Sequence, residues 1–354
     1  MPYSRILLIK LRHHGDVLLT TPLAHILQTS FPNCRIDFLL YAGTEDLLKN
    51  NPDVHRIWSW PRGLRGGRLL KKVFNLLMEL KSQKYDLVIH LSDQMQGALL
   101  AKFLGAQRSI GLDYPKRRHY YWRACFSELA PFFPSNTRHN VEQNLAPLRL
   151  LGLHPPLTFS SARLMVSRED EEFITQWLEQ KKITAPYLLI HPTARWFFKC
   201  WEEDRFAALI MHFANKGWPI VLTSAPSLSE EKMAKRILDQ VSSPHVYSLA
   251  GHLTLGQLAA ALQKAHLFIG VDSAPMHMAA ALKKKVVALF GPSKVKEWHP
   301  WMTEYRLLQA SDYGPLLDPD SIETQTKERY LSNIPLEAVI GAVEEMLTSK
   351  EETF

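Results

Sequence analysis

From one end of the chain to the other, short apolar runs of strand length alternate with longer stretches whose apolar residues recur at helical spacing. That alternation is what βαβ units and largely parallel sheets leave in a sequence. In the first half, runs at Arg5–Leu11, Arg35–Tyr41 and Tyr85–Leu91 predict strands, while Pro22–Ser30, Leu69–Gln83 and Gln96–Leu104 predict helices. A further helix is predicted over Asn140–Leu151, because Gly152 stands where a left-handed cap residue belongs and His154-Pro155-Pro156 then breaks the chain.

Beyond the break the pattern restarts. Strands are predicted at Tyr187–His191, Pro219–Thr223, Val246–Leu249, Leu267–Val271 and Val286–Phe290, with helices at Glu203–Lys216, Ser229–Val241, Thr254–Lys264 and Ala274–Lys283. The last amphipathic run, Pro335–Leu347, either stays with this second sheet or crosses back to the first. The expected architecture is α/β with two doubly wound, Rossmann-like domains over 1–155 and 156–334, followed by a helical segment over 335–354. In such folds ligands bind beyond the carboxyl ends of the strands, so the loops that follow strands are where chemistry is sought, in a cleft between the two domains.

Composition narrows the classes. The three cysteines, Cys34, Cys125 and Cys200, are far apart and lack metal-ligand spacing, which argues against a disulfide framework or a zinc site and fits a reducing cytoplasm. The opening residues run straight into a strand pattern too short for a signal sequence, so the chain is not expected to be exported. No stretch approaches the ~20 apolar residues of a membrane span, so any membrane contact must be peripheral. Lys and Arg outnumber Asp and Glu by 42 to 35, a net charge of +7 that favours an anionic partner. The excess concentrates in one cluster of Arg62, Arg65, Arg68, Lys71 and Lys72, and in another of Lys116, Arg117, Arg118 and Arg123 interleaved with Tyr120, Tyr121 and Trp122.

Three segments carry candidate chemistry. Lys10-Leu11-Arg12-His13-His14-Gly15-Asp16 closes the first strand: Gly15 suits a tight turn, and Asp16 reads either as a helix N-cap or as a carboxylate projecting from the strand end. Thr21-Pro22 offers an N-cap and first helical position of its own, which would leave Asp16 free. The second segment, His191 to Trp201, places Arg195, Lys199 and the hydroxyl of Thr193 beside the start of a helix. It reads as a phosphate site or as a basic surface loop with aromatic packing. The third runs from Phe268 through Gly270, Asp272, Ser273, Ala274 and His277 into a small-residue helix, with Ser273 as the natural N-cap. Asp272 would repel a pyrophosphate, so sugar hydroxyls or backbone N–H groups suit it better, and His277 either reaches a phosphate or sits in the core.

The third segment, continued into Phe290-Gly291-Pro292-Ser293 and combined with Gly15-Asp16 and Lys199-x-Trp201, resembles glycosyltransferase family nine, the ADP-heptose:lipopolysaccharide heptosyltransferases. The resemblance runs nearly end to end. Leu8–Pro22 and Arg195–Glu202 are most similar to the inner-core branch called heptosyltransferase III.

This resemblance implies the GT-B architecture, two facing Rossmann-like domains with the acceptor on the first and the nucleotide sugar on the second. It implies inverting, metal-independent transfer of heptose from ADP-heptose to the third-heptose position of the lipopolysaccharide inner core, with no cofactor. Asp16 falls on the family's catalytic base, and Lys10, Arg12, His14 and Gly15 lie with it on the acceptor side. Lys199 maps onto the family's donor-phosphate lysine, with Thr193–Arg195 as the preceding turn, where relatives carry paired threonines and this chain has Ala194 and Arg195. Asp272 maps onto the heptose-holding aspartate, and Ser273, Ala274 and His277 line the phosphate end. Glu230 or Glu231 stands at the ribose position, and Gly251 and Leu253 lie in the adenine-side loop. The basic clusters would face a phosphorylated lipid acceptor at the cytoplasmic side of the inner membrane. Two other readings are another GT-B nucleotide-sugar transferase or epimerase, and a basic nucleic-acid-binding protein, although the chain shows no nucleic-acid module.

Overall fold

The structure, a computed structural model, describes residues 3–62 and 66–349. It divides into two compact units, Met1–Met165 and Val166–Phe354.

In the first unit the order is β1 (Arg5–Lys10), α1 (His14–Leu18), α2 (Thr21–Ser30), β2 (Arg35–Tyr41), β3 (Arg56–Trp60), α3 (Gly66–Ser82), β4 (Leu87–His90), α4 (Met95–Leu104), β5 (Arg108–Leu112), α5 (Tyr120–Arg123), β6 (Glu128–Ala130) and α6 (Asn140–Leu145). The strands form one six-stranded parallel sheet ordered β3-β2-β1-β4-β5-β6. Its central strands are buried on both faces, which is why β1 reads as an unbroken Ile6-Leu7-Leu8-Ile9 run. Ile6 and Leu8 pack into one core with Phe38, Ile89 and α2, while Leu7 and Ile9 pack into another with Leu80 of α3 and Leu100 of α4.

The second unit follows with α7 (Arg168–Gln180), β7 (Leu188–His191), α8 (Glu203–Asn215), β8 (Ile220–Leu222), α9 (Leu228–Leu238), β9 (Val246–Ser248), α10 (Leu255–Lys264), β10 (Leu267–Val271), α11 (Ala274–Ala281), β11 (Lys285–Phe290), α12 (Val295–Trp298), β12 (Tyr305–Gln309) and α13 (Leu336–Thr348). Its sheet, also six-stranded and parallel, runs β12-β11-β10-β7-β8-β9. Read from the other edge, that is the strand order of the first unit. Helix α13 packs on β10, β11, β12 and α8, with Val339, Val343 and Met346 fully buried, so it belongs to the second unit's core.

Several local expectations are corrected. The predicted helix Asn140–Leu151 is α helix only to Leu145 and then tightens to a 3-10 turn through Leu151, with Gly152 left-handed at φ +72° as expected. Gly15, expected to make a tight turn, lies inside the short helix α1. The N-cap of α2 is Thr20, one residue earlier than expected, and the hydroxyls of Thr20 and Thr21 both donate back to carbonyls of α1, at Val17 and Leu18. All three cysteines are buried; burial pushes the Cys34 thiol up to about 11 and the Cys200 thiol up to about 12, and raises that of Cys125.

Candidate active site

In each sheet the strand order reverses between the first and fourth strands of its unit, and ligands of such folds bind at the carboxyl ends there. Four loops matter: those after β1 and β4 in the first unit, and those after β7 and β10 in the second.

After β1 the chain turns at Arg12 and enters α1, whose first turn holds Asp16. Asp16 is therefore not an N-cap; that position is His13. Asp16 is half-buried and accepts no hydrogen bond among the described residues. Its carboxylate lies within electrostatic reach of Lys10 and Tyr114. Arg12 pairs at 2.8 Å with Asp93 from the loop after β4, and both stay partly exposed. His14 Nε2 is 2.8 Å from the carbonyl of Gly43, beyond β2.

Lys10 departs from the acceptor-side expectation. It is 5% exposed, and its Nζ donates to the Leu91 carbonyl and to Asn144 Oδ1, both at 3.0 Å. Burial pulls its pKa down to about 8, against the opposing pull of Asp16. Asn144 in turn donates to the carbonyl of Leu19, at the end of α1. Lys10 and Asn144 thus sit behind α1 and fix the backbone that carries Asp16. Asp93, Asn144 and Tyr114 were missed by sequence reasoning, since none belongs to a recognisable motif; the position of Asp93 just past the fourth strand was the available signal.

In the second unit the loop after β7 is tied down at both ends. The Ala194 N–H donates to Cys200 Sγ, the buried Trp201 donates to the Ile334 carbonyl, and Glu203 is held by Arg329 and Arg236. Burial would raise the Glu203 carboxyl, but those two guanidiniums bring it down to about 2. Trp196 and Phe198 stack with ring centroids 6.0 Å apart, and Lys199 Nζ lies 5.2 Å from the Trp196 ring. The aromatics of this segment thus pack to order the loop that presents Lys199.

Lys199 Nζ meets Asp272 Oδ2 at 2.5 Å, with Asp272 buried and the Lys199 side chain 16% exposed. Ser293, from the loop after β11, donates to the same carboxylate at 2.6 Å. Burial would raise the Asp272 carboxyl; the ammonium and the hydroxyl outweigh it and hold the group below its usual range. Of the partners expected for Asp272, sugar hydroxyls or backbone N–H groups, its side chain here takes neither and is held by a lysine and a serine. Ser273 is the N-cap residue of α11, as expected, but its side chain makes no capping bond, and its buried Oγ has no hydrogen-bond partner among the described residues. Ala274 opens the helix, and His277 is buried one turn further on beside Trp298.

Thr193 also departs from expectation. It is fully buried, its hydroxyl donating to Glu230 Oε2 at 2.7 Å and lying 3.3 Å from His191 Nε2, so it does not offer that hydroxyl to a phosphate. Burial pushes His191 down to about 3, which keeps it neutral between Thr193 and Thr223. Arg195 is exposed on the same loop. Glu230 is thus drawn inward, whereas the half-buried Glu231 lies against Gly251: a Cβ there would meet the Glu231 side chain at 2.7 Å, and the φ of +75° favours glycine in any case. Leu253 closes the same loop and is buried.

The model of glycosyltransferase family 9 (heptosyltransferase) matches residues 73–324. The chain is 35% identical over 350 residues to lipopolysaccharide heptosyltransferase 3 of Escherichia coli, covering 96% of this chain and 98% of that one. Among solved structures it is similar to a family 9 glycosyl transferase from Veillonella parvula, at a TM-score of 0.83, 23% identity and 98% of both chains. It is also similar to the E. coli heptosyltransferase WaaC bound to ADP-2-deoxy-2-fluoro heptose, at 0.73, 21% identity and 97% and 99% of the two chains. Structural likeness at this identity shows the fold, which is of the GT-B type.

Proposed function

The chain belongs to glycosyltransferase family 9, the heptosyltransferases, and from that premise we propose that it transfers heptose from ADP-heptose to a heptose of the lipopolysaccharide inner core, at the third-heptose position, with inversion. Asp16 takes the proton of the acceptor hydroxyl as its oxygen attacks the anomeric carbon, and the bond from that carbon to the departing phosphate oxygen breaks with its electron pair leaving on ADP. Lys199 supports the negative charge that grows there, since its ammonium has three donors and the hydrogen bond to Asp272 uses one. Ser273 and the N-terminus of α11 stand beside it, and Arg195 adds an exposed cation on the same loop.

The observation that carries this reading is the Lys199–Asp272 pair, a cation held deep at the reversal point of the second sheet by a carboxylate and a serine. For the ribose, the geometry favours Glu231 over Glu230, whose carboxylate is engaged by Thr193 and Ser227. The reaction needs no metal, so a chelator leaves its rate unchanged. The protein works at the cytoplasmic face of the inner membrane as a peripheral protein, a reading supported by the basic residues of the first unit and by the absence, among the described residues, of any helix long and apolar enough to cross a membrane. Arg65 of the first basic cluster lies outside the described residues.

The test is ADP release from ADP-heptose with truncated core acceptors. Release that requires a two-heptose acceptor, and that falls about 10²- to 10⁴-fold in Asp16→Asn while ADP still binds, is expected. Undiminished release in the variant removes Asp16 as the base.

A further inference from the structure

Helix α3 buries Leu80 and packs Leu76 and Leu77 on the first sheet, yet Leu70, Phe74 and Met78 are 72%, 62% and 50% exposed. Spaced four residues apart, they form one stripe beside the buried face. Helix α4 lies next to α3 on the same face of the sheet, joined to it where Lys81 Nζ donates to the carbonyls of Phe103 and Leu104. It too exposes Leu99 and Phe103. Beyond it, α5 anchors through Trp122 against Ala98 of α4 and leaves Tyr120 and Tyr121 exposed at 78% and 75%. Seven large apolar or aromatic side chains thus stand in solvent on one side of one unit.

Charge identifies what covers them. Arg68, Lys71, Lys72, Lys102 and Arg123 are exposed on these three helices, and Glu79 is their one carboxylate. A stripe of exposed apolar side chains beside cations suits a nucleic acid poorly, since only single apolar wedges enter between bases, and suits a second copy of this face less, since its cations would repel. They suit an anionic bilayer, where apolar groups enter the acyl boundary and Lys and Arg stay among the headgroups.

We propose that the exposed face of α3, α4 and α5 is the surface by which the protein docks on an anionic lipid membrane, with Leu70, Phe74 and Met78 inserted. This rests on the peripheral membrane contact read above and gives it a specific surface.

The experiment is cosedimentation with vesicles of phosphatidylcholine mixed with phosphatidylglycerol, against phosphatidylcholine alone. The wild type is expected to prefer the anionic vesicles and to lose that preference in high salt. Replacing Leu70, Phe74 and Met78 together by Gln, and separately Lys71 and Lys72 by Glu, should each weaken binding about tenfold or more. The Gln variant should keep its urea midpoint and its ADP release with a lipid-free core oligosaccharide, which separates docking from transfer. Vesicle binding that both variants retain overturns the assignment of this face while leaving peripheral contact standing. No binding by the wild type overturns both. An oligonucleotide complex or a dimer abolished by the same substitutions assigns the face to that partner and overturns the proposal.

Discussion

The two units share a strand order, and each links a cation from the loop after its first strand to a carboxylate from the loop after its fourth: Arg12 to Asp93 in one, Lys199 to Asp272 in the other. They differ in depth. The first pair keeps 39% and 30% of its side-chain surface in solvent, the second 16% and 6%. An exposed pair gains little and opens at little cost, so it holds the loops around Asp16 only weakly. A buried pair exists only while both partners and their hydrogen bonds are kept, so Lys199 and Asp272 form a fixed anchor in the second unit. The same scaffold thus holds a loose polar edge in one unit and a stiff one in the other.

The largest expected effect separates the two pairs directly. Lys199→Met should destabilise the second unit by about 3 kcal/mol or more, because the Asp272 charge is left buried, whereas Arg12→Met should cost the first unit at most about 1 kcal/mol. Urea unfolding followed by tryptophan fluorescence measures both; equal losses would break the contrast. Adding Asp272→Asn to Lys199→Met sharpens it: stability should largely return while ADP release stays low. A smaller effect is expected within the second unit. Glu231→Gln should raise the KM for ADP-heptose about tenfold through loss of a charge-assisted hydrogen bond, and Glu230→Gln should instead lower the unfolding midpoint through Thr193.

The smallest difference between the units is expected in their acid sensitivity. His90 in the first and His191 in the second are each pushed down to about 3 by burial, so between that pH and 6.5 the unfolded chain binds more protons than the folded one. Stability therefore falls in both units as the pH drops from 6.5 toward 3. Asp272, held below its ordinary value, gives stability that is present above pH 3.8 and is lost as the pH falls below it. Urea midpoints should decline for both units from pH 6.5 downward, with the second unit falling faster below pH 3.8 as the Asp272 contribution is lost.

The central strands were legible because burial on both faces leaves near-continuous apolar runs, as in Ile6–Ile9 and Phe268–Val271. The strands that escaped notice are β3, β5, β6 and β12. Three of them are sheet edges, and their half-exposed or very short sequences, such as Glu128-Leu129-Ala130, carry no such run. In the sites, the placing of Lys199, Asp272 and Ser273 just past strand ends and at a helix start was legible because loop position and residue type agreed, whereas the weight given to Asp16 came from the family resemblance. The inward turn of Thr193 and Glu230, the burial of Lys10 behind α1 and the Lys199–Asp272 pairing were not legible, because each depends on a partner between 37 and 134 residues away. Distances of that kind are set by the assembled sheet, and no local pattern encodes them.

The buried cysteines have a practical consequence. With every native thiol buried and its pKa raised, the folded chain is expected to react only slowly with a maleimide, which a thiol titration before and after unfolding would check. A single thiol placed at an exposed position can then carry a fluorophore without any prior removal of Cys34, Cys125 or Cys200. Probes on each unit in turn would make the chain a ready reporter of its own movements under turnover.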